Sequence, residues 1–415
     1  MYASKKLMPF NRCLMLVNFA VFMSIAGTAS ADDKDVVNFT LSHAVTYDDN
    51  LFKLDRSESP TATFGKSQRW EMINATTYGM SINKPYSLQR FKFDVNQTSY
   101  RYQNYNFLNF DGTNYDIQWN WSLTPYLKGN LVFDRQQLPN TFANITSINP
   151  LTTNTRTVKS NRFDFDWSPQ GNWHLLGGVT DLTVTTDNSS PTQNNIDFSF
   201  EQTSARAGIR YDLPSGSNLE YASSTANGKY GQSTLNEVLF TDQGYEEKRQ
   251  EFKFNWVLSG KSKLNMSATY LDRKNDNFSQ RDVSGWIGAV NYSWDVTGKT
   301  RINFIASTDL FPTQAISYTY VRQNLIAIRP TWSVTSKVLV RGDLTLRERA
   351  FEGFAPAPPA EDRHDRTRIA SISATWEPRR FVSLGVMLKR EVRDSNLIND
   401  DYVSNSAMIN AGLTF

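Results

Sequence analysis

Apolar and polar residues alternate one by one over many short segments of the chain. Tyr115, Ile117, Trp119, Trp121 and Leu123 would share one face of an extended strand, while the polar residues between them share the other. Further segments with this period are 37–46, 252–258, 286–294, 338–347 and 403–415. A period of two predicts β-strands that have one apolar face and one polar face.

The connections between these segments come in two kinds that alternate along the chain. Eight short connections, polar or rich in Pro and Gly, are predicted at 83–86, 123–126, 168–172, 213–217, 259–262, 296–299, 335–337 and 377–380. Longer polar segments between them include 48–66, 136–155, 228–245 and 350–365. Eight tight turns join sixteen strands, and one further strand at each end gives about 18. Short turns at one rim and long loops at the other are typical of outer-membrane barrels.

The pattern therefore predicts an all-β protein: a transmembrane, antiparallel, up-and-down β-barrel of about 18 strands with short periplasmic turns and long extracellular loops. The barrel must close, because an unpaired strand edge in hydrocarbon leaves backbone N–H and C=O groups unsatisfied. We assign residues 32–415 to this single domain, which we expect in the bacterial outer membrane with lipid around it.

The first 31 residues differ in kind from the rest. Lys5, Lys6 and Arg12 precede or flank an apolar stretch at 14–26, and the small residues at 29–31 form a cleavage site. We expect residues 1–31 to be a secretory signal peptide. The one cysteine of the chain lies in this segment, so the mature protein would have neither a disulfide nor a cysteine-ligated metal.

Composition narrows the functional classes. The mean hydropathy of −0.50 and the lack of long apolar runs exclude a bundle of transmembrane helices. The chain has 44 Lys and Arg against 41 Asp and Glu, and the predicted leader contains three of the cations and no anion. The mature chain is therefore formally neutral, and no nucleic-acid partner is predicted.

The polar strand faces would line the inside of the barrel. A barrel of this size is too wide for side chains to fill, so we expect an aqueous lumen. The residues that we predict to line the pore are Arg206, Arg210, Lys253, Arg301, Arg341, Asp343, Arg347, Arg349, Lys389, Glu391 and Arg393. The same alternation, or parity, of side chains between the two strand faces also places on the polar face Arg69, Glu71, Lys92, Asp94, Asp116, Lys128, Asp134, Asp164 and Asp166. Two interpretations stay open: an arginine-rich strip that holds acidic sugar units weakly and lets them move on, or a wall of mutually neutralised charges without selectivity for a polymer.

Two polar or aromatic groups lie at the predicted loop rim. The extracellular aromatic loop comprises Tyr100, Tyr102, Tyr105, Phe107 and Phe110. These rings either stack on sugars or, as we favour, form the aromatic girdle at the membrane interface. Asp48, Asp49 and Asn50 supply oxygen atoms that suit a divalent cation, but such residues more often form turns. We therefore predict no metal site.

Two short motifs resemble known families. The alternating last strand ends in Phe415, which is similar to the carboxy-terminal insertion signal that the barrel assembly machinery recognises in outer-membrane proteins. A second motif resembles the start of the exosortase-associated exopolysaccharide outer-membrane barrels of the EpsL type, within the β-barrel porin families. It consists of Tyr47, Asp48, Asp49, Asn50, Leu51, Phe52, Lys53 and Leu54, with Lys53 where that family has Arg. This resemblance implies export of a polysaccharide through the lumen, together with periplasmic export components and without a cofactor.

The predicted function is thus an outer-membrane channel in an exopolysaccharide export system. The alternatives are a general or sugar-selective diffusion porin for small solutes and a surface adhesin that uses its long loops. An enzyme is not predicted, because the three histidines, His43, His174 and His364, belong to no hydrolase or zinc motif. The Ser-Gly-Lys-Ser sequence at 259–262 fits a hairpin turn, and a barrel lipase that uses His174 is the one enzymatic alternative.

Overall fold

The computed structural model describes residues 36–143, 153–187, 199–231, 233, 235–356 and 362–415. The predicted signal peptide and its cysteine lie outside the described residues. Within the described part of the chain, no helix has both the length and the apolar character needed to cross a membrane.

Strands make up most of the described chain, and helices are limited to three short turns. The strands are β1 (Val37–Asp48), β2 (Glu71–Tyr86), β3 (Gln89–Tyr102), β4 (Phe110–Thr124), β5 (Leu127–Pro139), β6 (Thr155–Gln170), β7 (Trp173–Thr186), β8 (Phe200–Asp212), β9 (Asn218–Tyr230), β10 (Gly244–Ser259), β11 (Ser262–Asn275), β12 (Val283–Thr297), β13 (Thr300–Pro312), β14 (Tyr320–Ser333), β15 (Val338–Glu352), β16 (His364–Arg379), β17 (Val382–Ser395) and β18 (Tyr402–Thr414). The helical turns are α1 (Thr61–Phe64) and two 3₁₀ turns, Asn106–Leu108 and Ser279–Arg281.

The strands form one closed antiparallel barrel. Each strand pairs with its neighbours in sequence, and β1 pairs with both β2 and β18. The pairing of Leu41 with Leu413 closes the cylinder, so the sheet has no free edge. The predicted closed barrel of 18 strands is confirmed.

Side-chain parity is continuous around the barrel, because residues paired across two strands share a face. Pairs such as Tyr270 with Trp286 and Ile372 with Leu388 carry exposed apolar side chains on the outer face. The outer belt includes Phe91, Trp119, Phe133, Phe163, Val179, Ile209, Tyr221, Phe252, Trp286, Phe304, Ile326, Leu344, Ile372, Leu388 and Ile409. The opposite parity, which faces the interior, is mostly polar or charged. An apolar exterior around a polar interior is the arrangement that a membrane barrel requires.

The tight turns lie where the sequence predicts them, with one correction. Seven of the predicted connections overlap a turn between two paired strands. The prediction of a turn at 83–86 is wrong, because these residues end β2 and Pro85 pairs with Arg90. The chain reverses at Ser87 and Leu88 instead, where Ser87 adopts a positive φ of 53°. Pro85 is tolerated because it lies at the end of its strand, where few ladder hydrogen bonds are lost.

The extracellular end of the seam between β1 and β18 is fastened by side chains of the 47–54 motif. Asp48 accepts hydrogen bonds from Lys53 at 2.7 Å and from Ser404 at 2.9 Å. Asp49 accepts two hydrogen bonds from Asn405, each 2.7 Å long. We call this group, with Asn50, the seam clasp.

Asn50 completes the seam clasp. Its side-chain amide donates to the carbonyls of Leu54 and Val403, and its carbonyl accepts from the Leu54 backbone N–H. The alternative of a divalent cation at Asp48, Asp49 and Asn50 finds no support, since protein donors already engage their side-chain oxygens. At the opposite end of the seam, Phe415 exchanges backbone hydrogen bonds with Phe39 and stacks on its ring. Its recognition by the assembly machinery stays a prediction.

Candidate channel interior

All eleven residues predicted to line the pore lie on the face opposite the apolar belt. Arg206 and Arg210 are on β8, Lys253 is on β10 and Arg301 is on β13. The others are Arg341, Asp343, Arg347 and Arg349 on β15, and Lys389, Glu391 and Arg393 on β17. Arg69 of the wider set does not line the wall. It lies in the loop before β2, where it donates to the carbonyls of Leu54 and Asp55.

On β8 to β10 the interior charges neutralise one another. The Arg206 guanidinium contacts the carboxylates of both Glu220 and Glu251. The Lys253 ammonium lies 2.9 Å from the Glu251 carboxylate and 3.7 Å from that of Glu220. Two cations therefore share two anions, which fits a neutralised wall in this sector.

A second compact charge cluster lies near the tight-turn rim. Arg210 donates to Asp166 at 2.8 Å and to Asp212 at 2.9 Å. His174 lies between the same two carboxylates, 2.6 Å from Asp166 and 3.2 Å from Asp212. No serine hydroxyl of the described chain hydrogen-bonds to His174, so a Ser-His pair that a lipase would need is not formed.

The other two histidines are not placed for catalysis either. His43 lies on the outer face of β1, where its ring hydrogen-bonds to Thr76. His364 is not in a Pro-rich loop, as its sequence context suggests, because it is the first residue of β16. The Ser-Gly-Lys-Ser sequence forms the turn between β10 and β11.

The interior face of β14 and β15 is less completely neutralised. Arg329 on β14 pairs with Asp343 at 2.7 Å, and Arg349 donates to the Gln323 amide at 2.9 Å. No carboxylate of the described residues lies within ion-pairing distance of Arg341 or Arg347. We call Arg341, Arg347 and Arg349 the arginine strip. On β17, by contrast, Lys389 pairs with Glu391.

A row of three carboxylates lies roughly halfway round the barrel from β14. Asp94 on β3 pairs across the sheet with Asp116 on β4, and Asp116 pairs with Asp134 on β5. Among the described residues, no group of three or more His, Cys, Asp or Glu side chains is placed to hold a metal ion. The row places three carboxylates on the side of the interior opposite the arginine strip.

Open space remains inside the barrel between β3 and β9. A cavity of about 910 Å³ is lined by both positively and negatively charged side chains. Its cations include Arg90, Lys128 and Arg162, and its anions include Asp164 and Glu220. Polar walls of this kind favour water in such a space.

At the long-loop rim, three successive loops pack together into a first loop cluster. Its buried residues are Leu51, Phe52, Tyr102, Tyr105, Leu108 and Phe142. The Phe52 ring lies at the centre, with ring centroids 4.6 Å from Phe64, 4.7 Å from Tyr105 and 4.9 Å from Phe142. The loops after β1, β3 and β5 therefore hold one another by aromatic contacts.

A buried carboxylate supports this cluster. Glu71 is fully buried at the start of β2. It accepts hydrogen bonds from the backbone N–H groups of Gln103, Asn104 and Tyr105. These donors would otherwise be buried without partners, so the carboxylate fixes the turn after β3.

The aromatic residues near 100–110 occupy different places from those predicted. Only Tyr105 and Phe107 lie in the loop, since Tyr100 and Tyr102 end β3 and Phe110 begins β4. The girdle interpretation is wrong for Tyr102 and Tyr105, which are buried in the first loop cluster rather than exposed on the outer face. Tyr100 stacks on Phe110, with ring centroids 4.7 Å apart, on the interior face.

One contact crosses the barrel mouth. The Arg393 guanidinium, on the interior face of β17, donates to the Ala143 carbonyl in the loop after β5. Six strand positions separate β17 from β5 around the closed sheet. The described start of this loop therefore reaches the wall beside the seam.

A second loop cluster lies at the same rim above β10 to β16. Ala315, Tyr318, Val321 and Phe351 form its buried core. The fully buried Arg281 donates to the carbonyls of Ala315, Thr313 and Leu239 and so ties together the loops before β10, β12 and β14. Burial lowers the pKa of Arg281 to about 10, which still leaves it charged at neutral pH.

Asp242 stabilises the second loop cluster in the way that Glu71 stabilises the first. It accepts hydrogen bonds from the backbone N–H groups of Gln243, Asn277 and Phe278 and from the Asn277 side chain. Burial alone would raise the pKa of the Asp242 carboxyl, but these donors outweigh burial and hold its pKa below the ordinary value. The carboxylate is therefore charged and fully engaged at neutral pH.

A buried ion pair lies on the interior face just below the second loop cluster. Glu247 on β10 is fully buried, and Arg273 on β11 donates to it at 2.6 and 2.8 Å. Arg249 contacts the other carboxylate oxygen at 2.6 Å. The Arg273 guanidinium also lies 3.7 Å from the ring centroid of Tyr245. Beyond the interior orientation of each residue, no pattern in the sequence predicts this pair.

If the loops narrow the mouth, loosening the first loop cluster should widen it. We expect Phe52→Ala to raise single-channel conductance, because the central ring that joins the loops after β1, β3 and β5 is removed. Planar bilayer recordings measure this directly, with Phe304→Ala on the outer belt as the matched control. Equal conductance in both variants would show that the loops do not restrict the opening.

Comparison with known proteins supports the same architecture. Residues 250–415, about two-fifths of the chain, match the family model described as Putative beta-barrel porin 2. No curated protein gives a significant match.

Solved structures similar to this chain are outer-membrane barrels. Pseudomonas aeruginosa OpdK is 12% identical with a TM-score of 0.50, over 91% of this chain and 99% of that one. A BenF-like porin from Pseudomonas fluorescens Pf-5 is 11% identical with a TM-score of 0.51, over 92% and 99% of the two chains. P. aeruginosa OccK2 (OpdF), solved with glucuronate, is 9% identical with a TM-score of 0.50, over 91% and 98%.

The apolar outer belt, the polar interior and the family match over β10 to β18 agree with one another. They confirm the predicted location in the bacterial outer membrane. Because short turns are periplasmic in such barrels, we assign the rim with tight turns to the periplasmic side. The protein is an outer-membrane β-barrel with the fold of the porins.

Proposed function

We propose that this protein is a diffusion porin for small polar solutes with a weak preference for anions. The observation that carries the proposal is the interior face itself, which is mostly polar or charged and encloses open space. The contact of Ala143 with Arg393 brings one loop across the mouth, which favours small solutes over a bulky polymer.

The comparisons support this proposal. Two of the similar structures contain small carboxylates, since OpdK was solved with vanillate and OccK2 (OpdF) with glucuronate. In this chain the arginine strip offers cations to such groups. Arg341 and Arg347 have no carboxylate partner among the described residues, so their charge is free to act on a solute. Contacts of this kind hold an anion weakly and let it move on.

Removing the arginine strip should abolish the anion preference. We expect the triple variant Arg341→Ala, Arg347→Ala, Arg349→Ala to lose three positive charges from the interior and to shift the anion-to-cation permeability ratio to one or below. Reversal potentials across a salt gradient in planar bilayers measure this ratio. Lys248→Ala, on the outer face of β10, is the control. An unchanged ratio in the triple variant would contradict the role of the strip.

Export of an exopolysaccharide, which the 47–54 motif implies by resemblance, stays a prediction. The comparisons favour the small-solute alternative, and the motif has a structural task in the seam clasp. Deleting the gene separates the two functions, because loss of small-anion uptake with normal secreted polysaccharide supports the porin. Loss of secreted polysaccharide with normal uptake would overturn our proposal, and normal values for both would point to an adhesin.

A further inference from the structure

A basic patch lies on the outer surface at the extracellular edge of the apolar belt. Arg366 and Arg368 on β16 and Arg390 on β17 share the parity of the outer residues Ile372 and Leu388. All three side chains are exposed. They therefore point towards the surrounding membrane and not into the lumen.

Arg390 is set among apolar neighbours. It pairs across the sheet with Ala370 and with Asn405, and Leu388 and Val392 flank it on its own strand. An arginine on the lipid face costs about 2–4 kcal/mol at the bilayer midplane and little near the interface. This places Arg390 at the level of the lipid headgroups, where its guanidinium can leave the hydrocarbon.

The three arginines differ in whether an acidic side chain neutralises their charge. Arg366 lies 2.7 Å from the carboxylate of Glu348, and Arg368 lies 2.5 Å from that of Asp394. Within the described residues, Arg390 has only a neutral partner, the side-chain carbonyl of Asn405 at 3.0 Å. A cation at the membrane interface without an acidic partner is suited to an anionic group supplied by lipid.

Directly below Arg390 the outer surface is hollow. A groove of about 520 Å³ is lined by Arg390, Asn405, Tyr47, Ala370, Leu388 and Ala407. The two alanines leave the depression between larger side chains. A second groove of about 550 Å³ continues on the same face, where Val386 and Ile409 lie one step further along their strands. Together the grooves form an apolar track beneath a cation.

We infer that this surface binds a phosphate-bearing lipid of the outer leaflet, with its phosphate at Arg390 and Arg368 and an acyl chain in the grooves. Guanidinium groups suit phosphate because their planar donors bind it in a bidentate manner. Arg390 and Arg368 are diagonal neighbours on adjacent strands, close enough to share one phosphate group. The outer-leaflet source follows from their position on the long-loop side of the belt.

The test compares lipids that differ only in their phosphate. Folded, detergent-purified protein is incubated with a phosphorylated outer-leaflet glycolipid or with its dephosphorylated form, and retained lipid is measured by native mass spectrometry. We expect wild type to retain the phosphorylated form, and Arg390→Gln to weaken retention at least about tenfold, because a charge-assisted contact is lost. The double variant Arg368→Gln, Arg390→Gln should retain none.

Lys248→Gln is the matched control, since Lys248 is also outward-facing and exposed but lies on β10 beside Glu246. It should bind as wild type does. Equal retention by wild type and Arg390→Gln, or equal retention of the dephosphorylated lipid, would overturn the inference. Each variant is verified as folded by its different migration in gels before and after heating. Its single-channel conductance should not change, which separates this lipid site from the proposed function of the lumen.

Discussion

Replacing Ile372 by arginine is expected to lower the free energy of unfolding by about 2–4 kcal/mol, whereas Ser371→Arg should leave it nearly unchanged. The two residues are adjacent on β16 and differ in the face that they present. Ile372 is 55% exposed on the outer belt, so a charge there enters hydrocarbon. Ser371 faces the interior between Asp343 and Lys389, where water can solvate the new guanidinium.

Urea titration of the barrel folded into phospholipid vesicles measures both variants under the same conditions. Native and unfolded forms are distinguished by tryptophan emission and by heat-modified migration in gels. A similar loss in both variants would mean that water does not fill the interior. A loss confined to Ser371→Arg would mean that the assignment of the two faces is reversed.

The second large effect is expected at the buried ion pair. Glu247→Gln should destabilise the protein by about 3–5 kcal/mol, because Arg273 would remain buried without a counter-charge. Replacing both partners, as in Glu247→Gln, Arg273→Met, should restore much of the loss, since no uncompensated charge then remains. The same urea titration, applied also to the single variant Arg273→Met, completes a double-mutant cycle.

Glu246→Gln is the control for this prediction. Glu246 is the preceding residue on β10, but it faces outward, is half exposed and lies 3.3 Å from Lys248. A surface change of this kind is expected to alter stability by no more than about 0.5 kcal/mol. If Glu247→Gln behaves like Glu246→Gln, the ion pair does not stabilise the barrel.

The sequence was sufficient for the strands and their faces. In a membrane barrel every strand must present apolar residues outward, so the period of two in each segment reports its environment independently of distant contacts. Arg341 and Arg347 could be placed on the interior face from parity alone. The location of the long loops at one rim followed from the lengths of the connections.

The contacts between loops and the ion pairs of the interior could not be predicted from the alternating pattern. Phe52 and Phe142 meet across loops that are far apart in sequence, and no local pattern reports such contacts. Composition places the aromatic residues near 100–110 in the girdle, although Tyr100 and Tyr102 alternate in step with Asp94 and so face the interior. Parity also could not show that Arg206 is neutralised while Arg341 is not, because that depends on which residues lie across the sheet.

The pairing of β1 with β18 has a kinetic consequence. Every other pair of strands is linked by a hairpin connection, whereas Leu41 and Leu413 are neighbours across nearly the whole chain. Contacts between residues so far apart must offset a large loss of chain entropy and form slowly. The hairpins are free to form in any order, but the cylinder shuts only after the last strand has been synthesised. A chain interrupted before that point retains two unpaired sheet edges, which can pair with other chains and cause aggregation.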